Sequence, residues 1–192
     1  MIFTETRLKG AFLIDLEPRS DARGFFSRTF CQREFAQHGL RTDIAQCNLS
    51  FNHRQGTWRG LHYQLPPATE AKLIRCVAGA IQSVIVDLRP DSPTYLEHIQ
   101  VTLSAENRRA VYVPEMFGNG YQALTDGAVA IYQVSEFYAP ERERGLRYDD
   151  PALKITLPLP VSIISEKDAS WPLLDRGNSL PLAARVRAGV TQ

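Results

Sequence analysis

Residues 57–64 read TWRGLHYQ, so a guanidinium (Arg59) and an imidazole (His62) stand three positions apart, and the ammonium of Lys72 opens the next apolar run. Imidazole is the side chain that takes up and returns a proton near neutral pH, and clustered cations suit an anion such as a phosphate. Each of these residues alone reads as an ordinary, partly exposed side chain. It is their clustering that points to a site for protons and anions. A regular strand would put Arg59 and His62 on opposite faces. Gly60 lies between them, and a glycine inside a strand often marks a bulge, which would let both side chains reach one cavity.

Residues 46–52 supply a second surface. Alternation sends Cys47, Leu49 and Phe51 one way and Gln46, Asn48, Ser50 and Asn52 the other. The second face is polar yet carries neither Lys nor Glu, which solvent faces favour. A row of amides and a hydroxyl suits a wet pocket that hydrogen-bonds a sugar or a base, as small barrels hold. A metal centre is disfavoured on ligand count. The chain has four histidines, His38, His53, His62 and His98, with no His-x-His pair, whereas a catalytic metal needs several converging ligands. The expectation is a protein with no metal and no cofactor.

These residues lie on short apolar runs at 11–16, 25–30, 44–52, 57–64, 72–77, 80–88, 97–103, 110–113, 128–138 and 153–157. Turn residues separate the runs, which is how a β-sandwich or barrel reads. Helix is scarce: residues 31–38 could form a short one closed by Gly39. Residues 176–192 carry three Arg, no acid and little apolar patterning, and read as a frayed tail. At 192 residues and 21.6 kDa the chain amounts to one domain. Its net charge of +1 gives no broad field for nucleic acid or an anionic membrane. The three cysteines, Cys31, Cys47 and Cys76, are odd in number and form no CxxC, which favours a reducing compartment. No run approaches the ~20 apolar residues of a membrane span, and MIFTETRLKG lacks the layout of a secretory signal. The expectation is a soluble, cytoplasmic protein.

The segments DARGFFSRTF (21–30), NLSFNHRQGTWRGLHYQLPP (48–67), KLIRCVAGAI (72–81), VDLRPDSPTY (86–95) and LRYDDPALKI (146–155) closely resemble the dTDP-4-dehydrorhamnose 3,5-epimerase family. The resemblance runs from near the N-terminus to Asp175. It implies an all-β, double-stranded β-helix, a cupin-like jelly roll with a few short helices, occupying residues 1–175. It also implies a homodimer that needs no metal and acts on a dTDP-linked 4-keto-6-deoxyhexose. Epimerisation beside a ketone removes a proton from carbon, passes through an enolate and returns a proton to the opposite face. It therefore needs a base, an acid opposite it, and positive charge or hydrogen-bond donors at the enolate oxygen. By position, His62 matches the base, Asp168 the carboxylate that orients it, Lys72 the group at the enolate and Tyr132 the acid. Read from the residues alone, Tyr132 is better explained as a core tyrosine and Asp168 as a helix-cap or turn residue; the resemblance reverses that preference. Arg23 and Arg59 match residues that meet the diphosphate. Phe26 and Tyr138 match aromatics near the base, with Tyr138 stacking. Gln46, Asn48, Glu143 and Lys167 fall at or near binding positions, the last two also reading as solvated surface charges.

Two positions depart from the family pattern. Arg28 stands where the family commonly has Glu near the base, which leaves the nucleotide open between dTDP and a relative such as CDP. Asn119, in MFGNGYQ, stands where the family has a sugar-site His. An amide can donate a hydrogen bond but cannot carry charge or shuttle a proton at neutral pH. Related epimerases act at one carbon only. The leading expectation is therefore 3,5-epimerisation of dTDP-4-dehydro-6-deoxy-D-glucose to dTDP-4-dehydro-L-rhamnose in deoxysugar biosynthesis. The alternatives are a single-site 3- or 5-epimerase and, in a different class, a non-catalytic sugar-binding cupin.

Overall fold

Short runs of β-branched and aromatic residues cannot bury themselves singly, so they pair across the chain. The computed structural model describes residues 1–174; the expected C-terminal tail lies outside the described residues. Along the chain come β1 (Ile2–Glu5), β2 (Phe12–Asp15), β3 (Arg19–Asp21), β4 (Gly24–Phe26), α1 (Gln32–Gln37), β5 (Gln46–Asn52), β6 (Trp58–Gln64) and β7 (Lys72–Ala78). There follow β8 (Ala80–Asp87), β9 (His98–Ser104), β10 (Ala110–Val113), β11 (Phe117–Ala123), β12 (Ala128–Val134), β13 (Glu143–Gly145) and α2 (Glu166–Ala169). A six-stranded sheet has the order β1-β2-β10-β7-β12-β5, and a five-stranded sheet β13-β6-β11-β8-β9. Early strands pair antiparallel with late ones: β5 with β12, β6 with β11, β7 with β10 and β12, β8 with β11. That doubling back is the jelly roll.

The two sheets close on a core that draws Ile74, Cys76, Val111 and Ala130 from one and Ile81, Ile85, Leu103 and Phe117 from the other. Phe35 of α1 covers part of the outer face of the six-stranded sheet, packing with Ile14, Leu73 and Tyr112. The segment after β13 covers the other sheet, where Leu157, Val161 and Ile164 pack around Trp58, Leu61 and Val86.

Several boundaries differ from the sequence reading. Residues 153–157 form no strand, and the run at 128–138 ends as strand at Val134. The run at 25–30 contributes only the end of a hairpin whose strands are exposed throughout. β11 has too many glycines for its propensity to announce it. Its glycines are needed for contact: a Cβ on Gly120 would lie 2.8 Å from the Arg59 carbonyl oxygen and 2.9 Å from Trp58 Cζ2. On β5 the alternation holds but the usual sides are reversed. Leu49 and Phe51 are 66% and 47% exposed, while Asn48, Ser50 and Asn52 turn inward.

Candidate active site

His62 and Arg59 reach the same cavity because β6 is bulged. Tyr121 pairs with Arg59 and Asn119 with His62, and the register slips between them. Gly60 makes the slip: its φ of +112° favours glycine, and a Cβ there would sit 2.5 Å from Gly120 Cα. The cavity, of about 400 Å³, is lined by Arg59, His62 and Asn119 from the five-stranded sheet and by Ser50, Lys72 and Tyr132 from the six-stranded sheet. Its remaining wall is the C-terminal segment carrying Lys167 and Asp168. This volume falls in the range of small-molecule sites.

Asp168 is delivered by a helix cap. Ser165 is the N-cap of α2, and its Oγ accepts the Asp168 N–H at 3.1 Å. Asp168 is thus in the helix's first turn, not its cap, and its carboxylate is free to turn to β6. Oδ1 lies 2.6 Å from His62 Nε2, and Oδ2 accepts the Gly60 N–H at 3.1 Å. A carboxylate on Nε2 places that ring proton there and leaves Nδ1 as the basic nitrogen. Burial pushes the Asp168 carboxyl up, but the His62 hydrogen bond and charge, the Gly60 N–H and the Ser165 hydroxyl outweigh it and hold it below the ordinary carboxylate range. Across the cavity, burial raises the Tyr132 phenol, with Tyr121 and Glu70 adding to it and Arg59 opposing. Tyr132 is thus held as a proton-bearing phenol. Lys72 ends its ammonium 2.9 Å from Glu70 Oε1.

Of the polar residues of β5, Ser50 lines the cavity. Ser50 Oγ bonds the Tyr121 hydroxyl, and Asn52 Oδ1 accepts from Arg59 Nε at 2.8 Å. Asn48 stands opposite Tyr132 on the neighbouring strand. Asn119 keeps its Oδ1 buried, with no hydrogen-bond partner among the described residues. A second group is tied together by its own bonds. Glu143 Oε2 accepts from the Tyr138 hydroxyl at 2.6 Å and from Lys167 Nζ at 2.6 Å, and Gln46 Oε1 accepts the Tyr138 N–H at 3.0 Å. Burial pushes the Glu143 carboxyl up, yet Lys167, Tyr138 and His62 more than compensate and hold it low. Neither Glu143 nor Lys167 is therefore a free surface charge. Among the described residues no three of His, Cys, Asp or Glu converge as a metal would need.

A family model described as dTDP-4-dehydrorhamnose 3,5-epimerase matches residues 5–176. The chain belongs to this epimerase family. A dTDP-4-dehydrorhamnose 3,5-epimerase of Methanothermobacter thermautotrophicus is 42% identical over 172 residues, covering 88% of this chain and 92% of the relative. The crystal structure of the Bacillus anthracis enzyme of that name, with TDP and PPi bound, superposes with a TM-score of 0.87 at 36% identity, covering 90% of this chain and 99% of that one. ChmJ, a 3'-monoepimerase from Streptomyces bikiniensis solved with dTDP-quinovose, gives a TM-score of 0.81 at 34% identity, covering 96% and 89%.

In this epimerase fold Arg59, Asn119 and Lys167 line the cavity, and Arg23, Phe26, Arg28, Gln46, Asn48, Tyr138 and Glu143 do not. Arg23 and Phe26 sit on the β3–β4 hairpin, the Arg23 side chain 90% exposed and Phe26 72% exposed. Arg23 donates to Asp21 and Arg28 to Glu34. Conversely, the sequence reading missed Glu70, Tyr121 and Ser165. The Ser-x-x-Asp pattern ahead of Asp168 was a legible cap signal. Glu70 at two positions before Lys72 had strand spacing to share its side. Tyr121 lay in the glycine-rich strand whose existence was itself hidden.

Proposed function

We propose that this chain is an isomerase that epimerises dTDP-4-dehydro-6-deoxy-D-glucose at carbons 3 and 5 to dTDP-4-dehydro-L-rhamnose, a step of deoxysugar biosynthesis. The observation that carries the reading is the division of the cavity. The His62–Asp168 pair stands on the five-stranded sheet, and Lys72 and Tyr132 on the sheet facing it. A sugar between the sheets meets a base on one side and an acid on the other. His62 Nδ1 takes the proton from the carbon beside the ketone, and the C–H electron pair moves into the enolate. The oxygen's new charge meets the Lys72 ammonium. Tyr132 then gives a proton to the opposite face of the carbon, which inverts it. Asp168 orients the imidazole and balances its positive charge. His62→Ala is expected to lower kcat by about 10²–10⁴-fold while calorimetry still shows dTDP binding. Wild-type turnover in the variant would remove His62 from its role.

The nucleotide end is assigned to Arg59 with the Gln46, Tyr138, Glu143 and Lys167 group, completed by Arg23, Phe26 and Arg28 from a second copy. What supports a homodimer is the pairing of unmet surfaces. The hairpin holds Phe25 and Phe26 in solvent, and Leu49, Phe51, Val77 and Ile131 lie exposed on the six-stranded sheet. Light scattering of the pure protein should give a dimer; a fully active monomer would contradict it. A second reading, epimerisation at one carbon, is favoured by Asn119 in the cavity.

A further inference from the structure

Lys72 opens β7 between Val113 of β10 and Val134 of β12. Its backbone is therefore fixed, but a lysine reaches its ammonium through a flexible four-carbon stem. Something else must aim it. Glu70 places Oε1 2.9 Å from Nζ, and each of the two side chains is 11% exposed. An ammonium has three donors, so an ion-pair partner on one side of it leaves donors for another oxygen. A pair this far from water gains little net stability, so it is better explained by what it does to the cavity.

We propose that Glu70 is a positioning residue of the epimerisation, which aims the Lys72 ammonium at the carbonyl oxygen that becomes the enolate. The inference rests on the epimerase reading above. An ammonium already aimed meets the developing charge without reorganising, and that is where electrostatic stabilisation acts most. Glu70 has a second effect through space. Its charge opposes ionisation of Tyr132, together with Tyr121 of β11 and against Arg59 of β6. The other charged and titratable groups on the cavity wall are His62 of β6, Lys72 of β7, and Lys167 and Asp168 of α2. With Glu70 neutral, Lys167 is still held by Glu143 and Asp168 by His62, so the Arg59 and Lys72 cations act on the phenol without the Glu70 charge to oppose them. The phenol then ionises more readily, and the alkaline limb of the pH–rate profile moves to lower pH.

The test compares wild type, Glu70→Gln, Glu70→Asp, Lys72→Met and the Glu70→Gln/Lys72→Met double variant on dTDP-4-dehydro-6-deoxy-D-glucose, with dTDP binding as the check of folding. Glu70→Gln should lose about tenfold to a hundredfold in kcat with KM within about twofold, and its alkaline limb should fall. Glu70→Asp keeps the charge but withdraws it by one methylene, so it should lower kcat and hold the wild-type limb. In the Lys72→Met background the Gln substitution should cost nothing further in kcat. Equal losses in both backgrounds, or Glu70→Gln with wild-type kcat and limb, would overturn the inference. A folded wild type that binds dTDP but does not turn over would instead remove the epimerase reading, and this inference with it.

Discussion

Asn119 is the side chain whose identity bears most on the outcome of the reaction. It pairs across the bulge with His62 and leaves Oδ1 buried without a partner among the described residues. A buried acceptor of this kind costs ~1–3 kcal/mol, and a sugar hydroxyl entering the cavity can repay it. The amide is neutral at every working pH, so on this flank an enolate is held by hydrogen bonding alone. Loss of one charged or well-placed donor at an oxyanion costs ~2.7–4 kcal/mol. That suffices to slow one of two deprotonations while the other proceeds. Exchange at carbons 3 and 5 is therefore expected to be unequal, and Asn119→His should bring the two rates closer. Equal rates, unchanged by the substitution, would show the position to be silent.

At the scale of elements the site depends on two local devices, the bulge in β6 and the cap of α2. Gly60→Ala should destabilise the protein by about 2–4 kcal/mol, because the added Cβ meets backbone and not a yielding side chain. Denaturant unfolding measures this; a loss below about 0.5 kcal/mol would mean that the two strands can part without cost. Much of this level was legible in the chain. The runs at 46–52, 57–64, 72–77 and 80–88 are strands within a residue or two, because period-two alternation survives wherever one face is buried. The bulge was legible from Gly60 between Arg59 and His62. The polar face of β5 was legible as turned toward a pocket, though not the exposure of its apolar side. β11 was hidden because its glycines serve close contact with β6 and leave no alternating pattern. Motif resemblance brought Asp168 to His62 across 106 positions; no local rule does so. Arg23, Phe26 and Arg28 were named by the same resemblance, yet within one chain they stay apart from the cavity.

At the scale of the whole molecule, the jelly roll buries phenols as well as hydrocarbon. Burial raises Tyr63, Tyr112 and Tyr132 above the ordinary tyrosine range. A group whose folded value is raised contributes stability that is fully present below its unfolded value and is lost as pH rises through the folded one. For tyrosine the unfolded value is about 10. The melting temperature should thus owe nothing to these phenols' titration below about pH 10 and fall above it, and Tyr63→Phe should reduce the fall. A variant falling as steeply as wild type would show that Tyr63 contributes none of it. The same fold sets the base on one sheet and the acid on the other, and that placement is the central claim. It is tested most directly by incubating the protein with dTDP-4-dehydro-6-deoxy-D-glucose in deuterated water and following carbons 3 and 5 by NMR. The account predicts deuterium entering at both carbons with inversion to the L-rhamnose configuration, and neither event in His62→Ala. Binding of the nucleotide sugar with no deuterium entering at either carbon would contradict it.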